Sequence, residues 1–221
     1  MNNRLLIVNG HPDPSSRRYC AALCDAYAAG VRSRGWTADH LEVGGVPTPA
    51  SLRAREACDG LSLKGVSAID RICEAHRLAI VFPLWLGAAP HALQLLFESV
   101  ARTRTLQPLS LAADLVVTMD MPALVYRSQT GSQRKSGASR NPFYLQGVRA
   151  EQAILIGSVN VLAQGERERW LTEMHALARR AVDRDIAARR RSILGWHVPV
   201  SMPVWLTQVM SRREPRIASR H

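Results

Sequence analysis

The sequence predicts an α/β fold: a doubly wound parallel sheet of five strands with helices on both faces, plus a C-terminal extension. Three observations carry this. Short apolar runs recur at residues 5–8, 78–82, 115–119 and 153–156 without polar alternation. Such runs suit strands that are covered on both faces. The segments between them repeat apolar residues at helical spacing, so strand and helix alternate along the chain. Finally, 221 residues with 47% hydrophobic content fit one domain with an extension.

The elements follow in order. Leu5, Leu6, Ile7 and Val8 make the first strand, which Gly10, Pro12 and Pro14 break at once. From Arg17 a helix is expected, with Leu23, Ala26, Tyr27, Gly30 and Val31 on one face. Gly35 stops it, and residues 36–43 read as a second strand. Residues 44–66, with Gly44, Gly45, Pro47, Pro49 and Gly60, read as a surface excursion with a short helical piece at 52–57. Residues 66–76 predict a helix with Ile69, Ile72 and Cys73 inward. Strand 78–82 ends at Pro83. Pro90 then opens a helix, as proline at the first helical position does. That helix runs to about Ala101, with Leu93, Leu96, Phe97 and Val100 on one side.

Residues 102–111 are a polar connection before strand 115–119. Residues 120–147 are long, polar and rich in Gly and Pro. After strand 153–156, residues 166–188 predict a long helix carrying Trp170, Leu171, Met174, Leu177, Ala178, Ala181 and Val182 at helical spacing. The domain is thus expected over 1–188. Residues 189–221 are left as a basic tail that holds Trp196, Pro199, Pro203 and Trp205.

The formal charge is +11, and Lys64 and Lys135 are the only lysines. Such a balance favours anionic partners, whether phosphate-bearing cofactors, nucleic acid or anionic lipid. Basic residues interleaved with stacking aromatics would mark a nucleic-acid surface. The predicted strands show no such pattern, so nucleic acid is not expected. A G-x-S-x-G elbow is absent, which argues against a serine hydrolase. Cys20, Cys24, Cys58 and Cys73 form no C-x-x-C pair and have no further ligands nearby. The expectation is buried reduced thiols, no metal, and a cytoplasmic protein whose N-terminus enters a strand with no leader. No apolar run reaches membrane-spanning length. For the tail, wrapping over the domain or a partner subunit is favoured, because exposed Trp, Leu and Val are a liability. Peripheral contact with a membrane surface through its arginines is the alternative.

In open α/β sheets ligands bind beyond the carboxyl ends of the strands. Three loops, 9–16, 83–89 and 118–127, should gather there. The first is polar and basic and leads into a helix start, which suits a phosphate. It is neither G-x-G-x-x-G nor a P-loop. The second is apolar and carries Trp85. The third mixes Thr118, Asp120, Tyr126 and Arg127. A phosphate end, a flat apolar wall and a few hydrogen-bonding groups together suit a flavin.

Asn-Gly-His-Pro-Asp-Pro-Ser-Ser (9–16), Phe-Pro-Leu-Trp-Leu-Gly-Ala-Ala-Pro (82–90) and Val-Thr-Met-Asp-Met-Pro-Ala-Leu-Val-Tyr-Arg (117–127) resemble the flavodoxin-like NAD(P)H quinone oxidoreductase family. The resemblance covers roughly residues 4–182 in the same order. It implies a flavodoxin-like fold and a two-electron flavoenzyme in which NAD(P)H is the co-substrate and a quinone the acceptor, by a ping-pong mechanism. It implies that His11, Ser16, Arg17 and Arg18 face the flavin phosphates. Pro83, Leu84, Trp85 and Leu86 would line the isoalloxazine, and Thr118, Met119, Asp120 and Met121 would run along its pyrimidine edge. Tyr126 would be the catalytic residue beside the nicotinamide and quinone pocket, and the molecule would be a homodimer. FAD and FMN remain open. Four features depart from the family pattern: arginines at 17 and 18, Leu86 where an aromatic is often found, Asp120-Met121 where many members carry Gly-Gly, and no histidine after Tyr126 in its loop. The competing reading is a flavin-binding regulatory subunit of a membrane transport system with little turnover of its own.

Overall fold

A computed structural model describes residues 3–45, 63–103, 111–126, 128 and 145–193. Five strands form one sheet: β1 (Arg4–Asn9), β2 (Thr37–Glu42), β3 (Arg77–Pro83), β4 (Leu111–Thr118) and β5 (Val148–Ile156). Their order is β2-β1-β3-β4-β5, and every neighbouring pair is parallel. The helices are α1 (Tyr19–Arg32), α2 (Leu63–Glu74), α3 (His91–Thr103) and α4 (Gln164–Ile193). This is the doubly wound five-stranded sheet expected from the apolar runs.

The two faces of the sheet are read off alternate residues. Leu6, Val8, Leu78, Ile80, Phe82, Leu115 and Val117 join one apolar cluster with Ala68 and Ile72 of α2 and Leu93, Leu96 and Phe97 of α3. The intervening side chains face α1, where Tyr27 bonds Asp114 of β4 and Cys20 meets Thr118. Helix α4 lies along α1, so close that a Cβ on Gly30 would stand 2.3 Å from the carbonyl oxygen of His175. The chain divides into two compact units, Met1–Val182 and Asp183–His221.

Element boundaries shift where polar residues hide or shorten a pattern. Helix α1 begins at Tyr19, two residues later than expected from Arg17, because turns occupy residues 16–18. Strand β4 begins at Leu111 and includes Asp114, whose charge breaks the apolar run. Its irregularity against β5 falls between Ala113 and Asp114. Strand β5 begins at Val148, with Arg149 and Glu151 on its exposed edge. Helix α2 runs Leu63–Glu74 rather than 66–76. The expected excursion, except residues 44–45 and 63–66, lies outside the described residues, as do residues 104–110 of the expected polar connection, Arg127, residues 129–144 and the tail from 194. Among the described residues no helix is long and apolar enough to cross a membrane, and no group of His, Cys, Asp and Glu is placed to hold a metal.

Candidate functional site

The strands end together at Asn9, Glu42, Pro83, Thr118 and Ile156, and an open cleft of about 340 Å³ lies over this edge. Its size falls in the range of small-molecule sites. The loop after β1 supplies His11, Arg17 and Arg18, and the first turn of α1 adds Tyr19 and Cys20. The loop after β3 supplies Pro83, Leu84 and Trp85, and the end of β4 supplies Thr118, Met119 and Asp120. Val159, Asn160 and Arg167 close the far side.

The loop after β1 is held by side chains bonding to nearby N–H groups, as short polar residues do in turns. Asn9 Oδ1 accepts from the His11 N–H, and His11 Nδ1 lies 3.0 Å from the Asp13 backbone nitrogen. The same Nδ1 lies 2.9 Å from the Asp13 carbonyl oxygen, so the tautomer decides which of the two contacts is the hydrogen bond. Asp13 Oδ1 accepts from the Ser15 N–H, and Ser15 Oγ from the Arg17 N–H. The Arg18 guanidinium donates to Asp13 Oδ2 at 2.8 and 2.6 Å, which holds the Asp13 carboxyl below its usual value. The side chain of Arg17 has no partner among the described residues. The imidazole of His11 meets the indole of Trp85 edge to face, with ring centroids 5.9 Å apart.

Trp85 stands on a two-residue hairpin turn. Its N–H and carbonyl pair with Ala88, while Leu86 (φ 49°) and Gly87 (φ 79°) both take left-handed backbone. Such a turn matches the twist of the paired backbone, and glycine enters it freely. Leu86 adopts it at a cost of about 1 kcal/mol and projects fully into solvent, while Trp85 keeps 50% of its surface exposed. Met121, Leu124, Val125 and Val161 are also exposed on neighbouring loops of this edge.

The loop after β5 is fastened to the loop after β4. The Val159 N–H donates to the Met119 carbonyl and the Ser158 N–H to the Met121 carbonyl, both at 3.1 Å. A Cβ on Gly157 would fall 2.3 Å from the Ala123 nitrogen, so this approach requires glycine. Arg167 donates to the carbonyls of Val159 (2.7 Å) and Leu162 (3.3 Å) and lies 5.0 Å above the Tyr19 ring. No carboxylate pairs with it among the described residues. Burial raises the Tyr19 hydroxyl, which Arg167 partly offsets. Burial also pushes the Cys20 thiol up to about 11, against its contact with Thr118 Oγ1 at 3.5 Å.

Of the residues singled out from sequence, His11, Arg17, Arg18, Pro83, Leu84, Trp85, Thr118, Met119 and Asp120 come together in this cleft. Ser16, Leu86 and Met121 are exposed beside it and do not line it. Tyr126 stands apart, buried in the apolar cluster on a helical turn at 123–126, where burial raises its hydroxyl. Sequence reasoning passed over Tyr19, Cys20, Val159, Asn160 and Arg167. The rule that selected the other loops, a loop following a strand, applies equally to residues 157–163.

A family model described as "flavodoxin-like fold" matches residues 3–146. The chain belongs to that family. No curated protein matches the sequence. Among solved structures, the chain is similar to an NAD(P)H:quinone oxidoreductase from Methanothermobacter marburgensis (TM-score 0.57, 18% identity, 80% of this chain and 94% of that one). It is also similar to an FMN-dependent NADH-azoreductase from Bacillus anthracis in complex with FMN (TM-score 0.58, 14% identity, 82% and 100%). A putative quinone reductase from Klebsiella pneumoniae is a further match (TM-score 0.55, 12% identity, 78% and 82%). At these identities the likeness is one of fold.

Proposed function

We propose that the chain is a flavin-dependent NAD(P)H oxidoreductase that passes two electrons to a small aromatic acceptor of the quinone or azo type. One observation carries this reading: a single cleft joins the Arg17 guanidinium at a helix start, unpaired among the described residues, to a half-exposed indole and a backbone edge. The donor set fits a flavin. Arg17, Ser16 and the N–H groups opening α1 suit its phosphate, and Arg167 adds a second uncompensated charge. Trp85, Leu84 and Pro83 offer the apolar wall that a flat ring system needs. The backbone N–H groups of Asp120 and Met121 have no partner among the described residues and so remain available as donors.

When bound, the flavin supplies reversible hydride chemistry between donor and acceptor. The work of this chain's residues is binding, orientation and electrostatics. His11 lines the cleft beside Trp85, its ring fixed by the backbone of Asp13. Donors at Asp120 and Met121 favour negative charge along the edge they border, whereas the Asp120 carboxylate opposes it if turned inward. Tyr126 lies in the apolar cluster and not among the residues lining the cleft, and Tyr126→Phe, compared for acceptor turnover and flavin affinity, tests its catalytic role. A homodimer belongs to the same proposal, because a second copy would cover the apolar side chains Leu86, Leu124 and Val161.

The test is direct. Purified protein should show a flavin absorption spectrum, mass spectrometry of the released cofactor should identify FMN or FAD, and anaerobic NADH or NADPH should bleach it. Parallel double-reciprocal plots with a quinone would mark one shared face used in turn. A colourless protein that takes up neither flavin would refute the proposal.

A further inference from the structure

Asp13 holds Arg18, which the family resemblance turns toward the flavin phosphates, and the Ser15 N–H beside it. Its Oδ1 takes the Ser15 N–H at 3.0 Å, and its Oδ2 takes both Nε and a terminal nitrogen of Arg18 at 2.8 and 2.6 Å. One carboxylate therefore spans a backbone N–H and a guanidinium just ahead of the α1 N-terminus. A bound phosphate would seek the same pairing. The other arginines of the cleft are treated differently. The Arg17 side chain has no partner among the described residues, and Arg167 is oriented by two carbonyls and a ring with no acid to neutralise it.

We propose that Asp13 is an internal counter-anion: it withholds Arg18 from the ligand and leaves Arg17 and Arg167 to select the phosphate. The inference rests on the phosphate reading of this loop. Its consequence is a site tuned for exchange rather than for maximal retention. The side chains of Asp13 and Arg18 are 42% and 54% exposed, so water screens the pair and a ligand can compete with it.

Three variants of the full chain, stripped of flavin, test it by titration calorimetry with FMN and, separately, with inorganic phosphate. Asp13→Asn keeps an oxygen for the Ser15 N–H but frees Arg18. It should tighten both ligands about fivefold, the scale of one exposed charge pair, with a steeper salt dependence. Arg18→Gln leaves Asp13 unneutralised and should loosen both. The double variant should return to within about twofold of the parent, because a neutral pair replaces a neutral pair. Thermal unfolding checks that each variant is folded. Unchanged or weaker binding in folded Asp13→Asn overturns the proposal, as does an Arg18→Gln that binds like the parent. If the parent takes phosphate but neither FMN nor FAD, the flavin reading falls, and the order among variants with phosphate still decides the role of Asp13. If the parent binds FMN and the order fails, only the role of Asp13 falls. A parent that binds neither anion refutes both.

Discussion

Arg77, fully buried, and Arg167, half-buried, are arginines toward opposite ends of the strands. Arg77 opens β3 and is 1% exposed. It donates to Asp114 at 2.8 Å and pairs with Glu151 at 2.8 Å, and Tyr27 completes the cluster through Asp114 Oδ2 at 2.7 Å. Arg167 borders the cleft, held by carbonyls and an aromatic face but by no carboxylate. Both are fixed in direction, yet only Arg77 is neutralised. A buried charge matched by acids within the molecule is architecture, because nothing is left for a ligand to answer. A charge that is oriented but left unmatched beside open space is recognition.

The comparison is broken most severely at the architectural end. Asp114→Ala takes one acid from Arg77 and the hydroxyl's acceptor from Tyr27, in a buried setting. We expect a loss of about 3 kcal/mol or more in urea unfolding, with flavin affinity of the folded fraction unchanged. At the other end, Ser16→Ala with Arg17→Glu should do the reverse. Flavin affinity should fall by at least about tenfold, while stability stays within about 0.5 kcal/mol, since both side chains are exposed. Equal flavin content in that double variant would separate the basic loop from the ligand altogether.

The smallest effect tests a residue between the two cases. Burial raises the Glu42 carboxyl above its usual value of 4.5, and Asn9 partly offsets this. A raised carboxyl pKa means that the folded state holds the proton longer. The contribution is therefore complete below 4.5 and is lost as pH rises through the folded value. Glu42→Gln should flatten that part of the stability–pH curve and raise stability at neutral pH by ~0.5 kcal/mol, the exposed part of the group being screened. A steeper curve in the variant would reverse the sign and deny the burial effect.

The same contrast explains what the sequence disclosed. Continuous apolar runs located four of the strands because burial on both faces leaves little choice of residue. They undershot β4 at its start because Asp114 reads as a polar break. Its partner Arg77 lies 37 residues away, and no local pattern reports that pairing. Turn chemistry hid the true start of α1. Asp13 and Ser15 were visible as loop residues, but their bonds to the Ser15 and Arg17 N–H groups delay the helix to Tyr19. In the cleft, the loops following β1, β3 and β4 were legible from their residue types. Arg167 was not, because on a long amphipathic helix one more exposed arginine is unremarkable. Its meaning comes from Tyr19, 148 residues away. Tyr126 was placed by motif alone, and packing carries it into the apolar cluster.

Cys20 gives the cleft one further property. Were the cleft to take a quinone, as proposed above, an ordinary thiol lining it would be open to arylation by that electrophile. At a pKa of about 11 only on the order of one thiol in ten thousand is thiolate at neutral pH. Covered by its surroundings and tied to Thr118, the sulfur beneath the cleft is chemically passivated. A cleft built this way would hold a thiol-reactive ligand without being consumed by it.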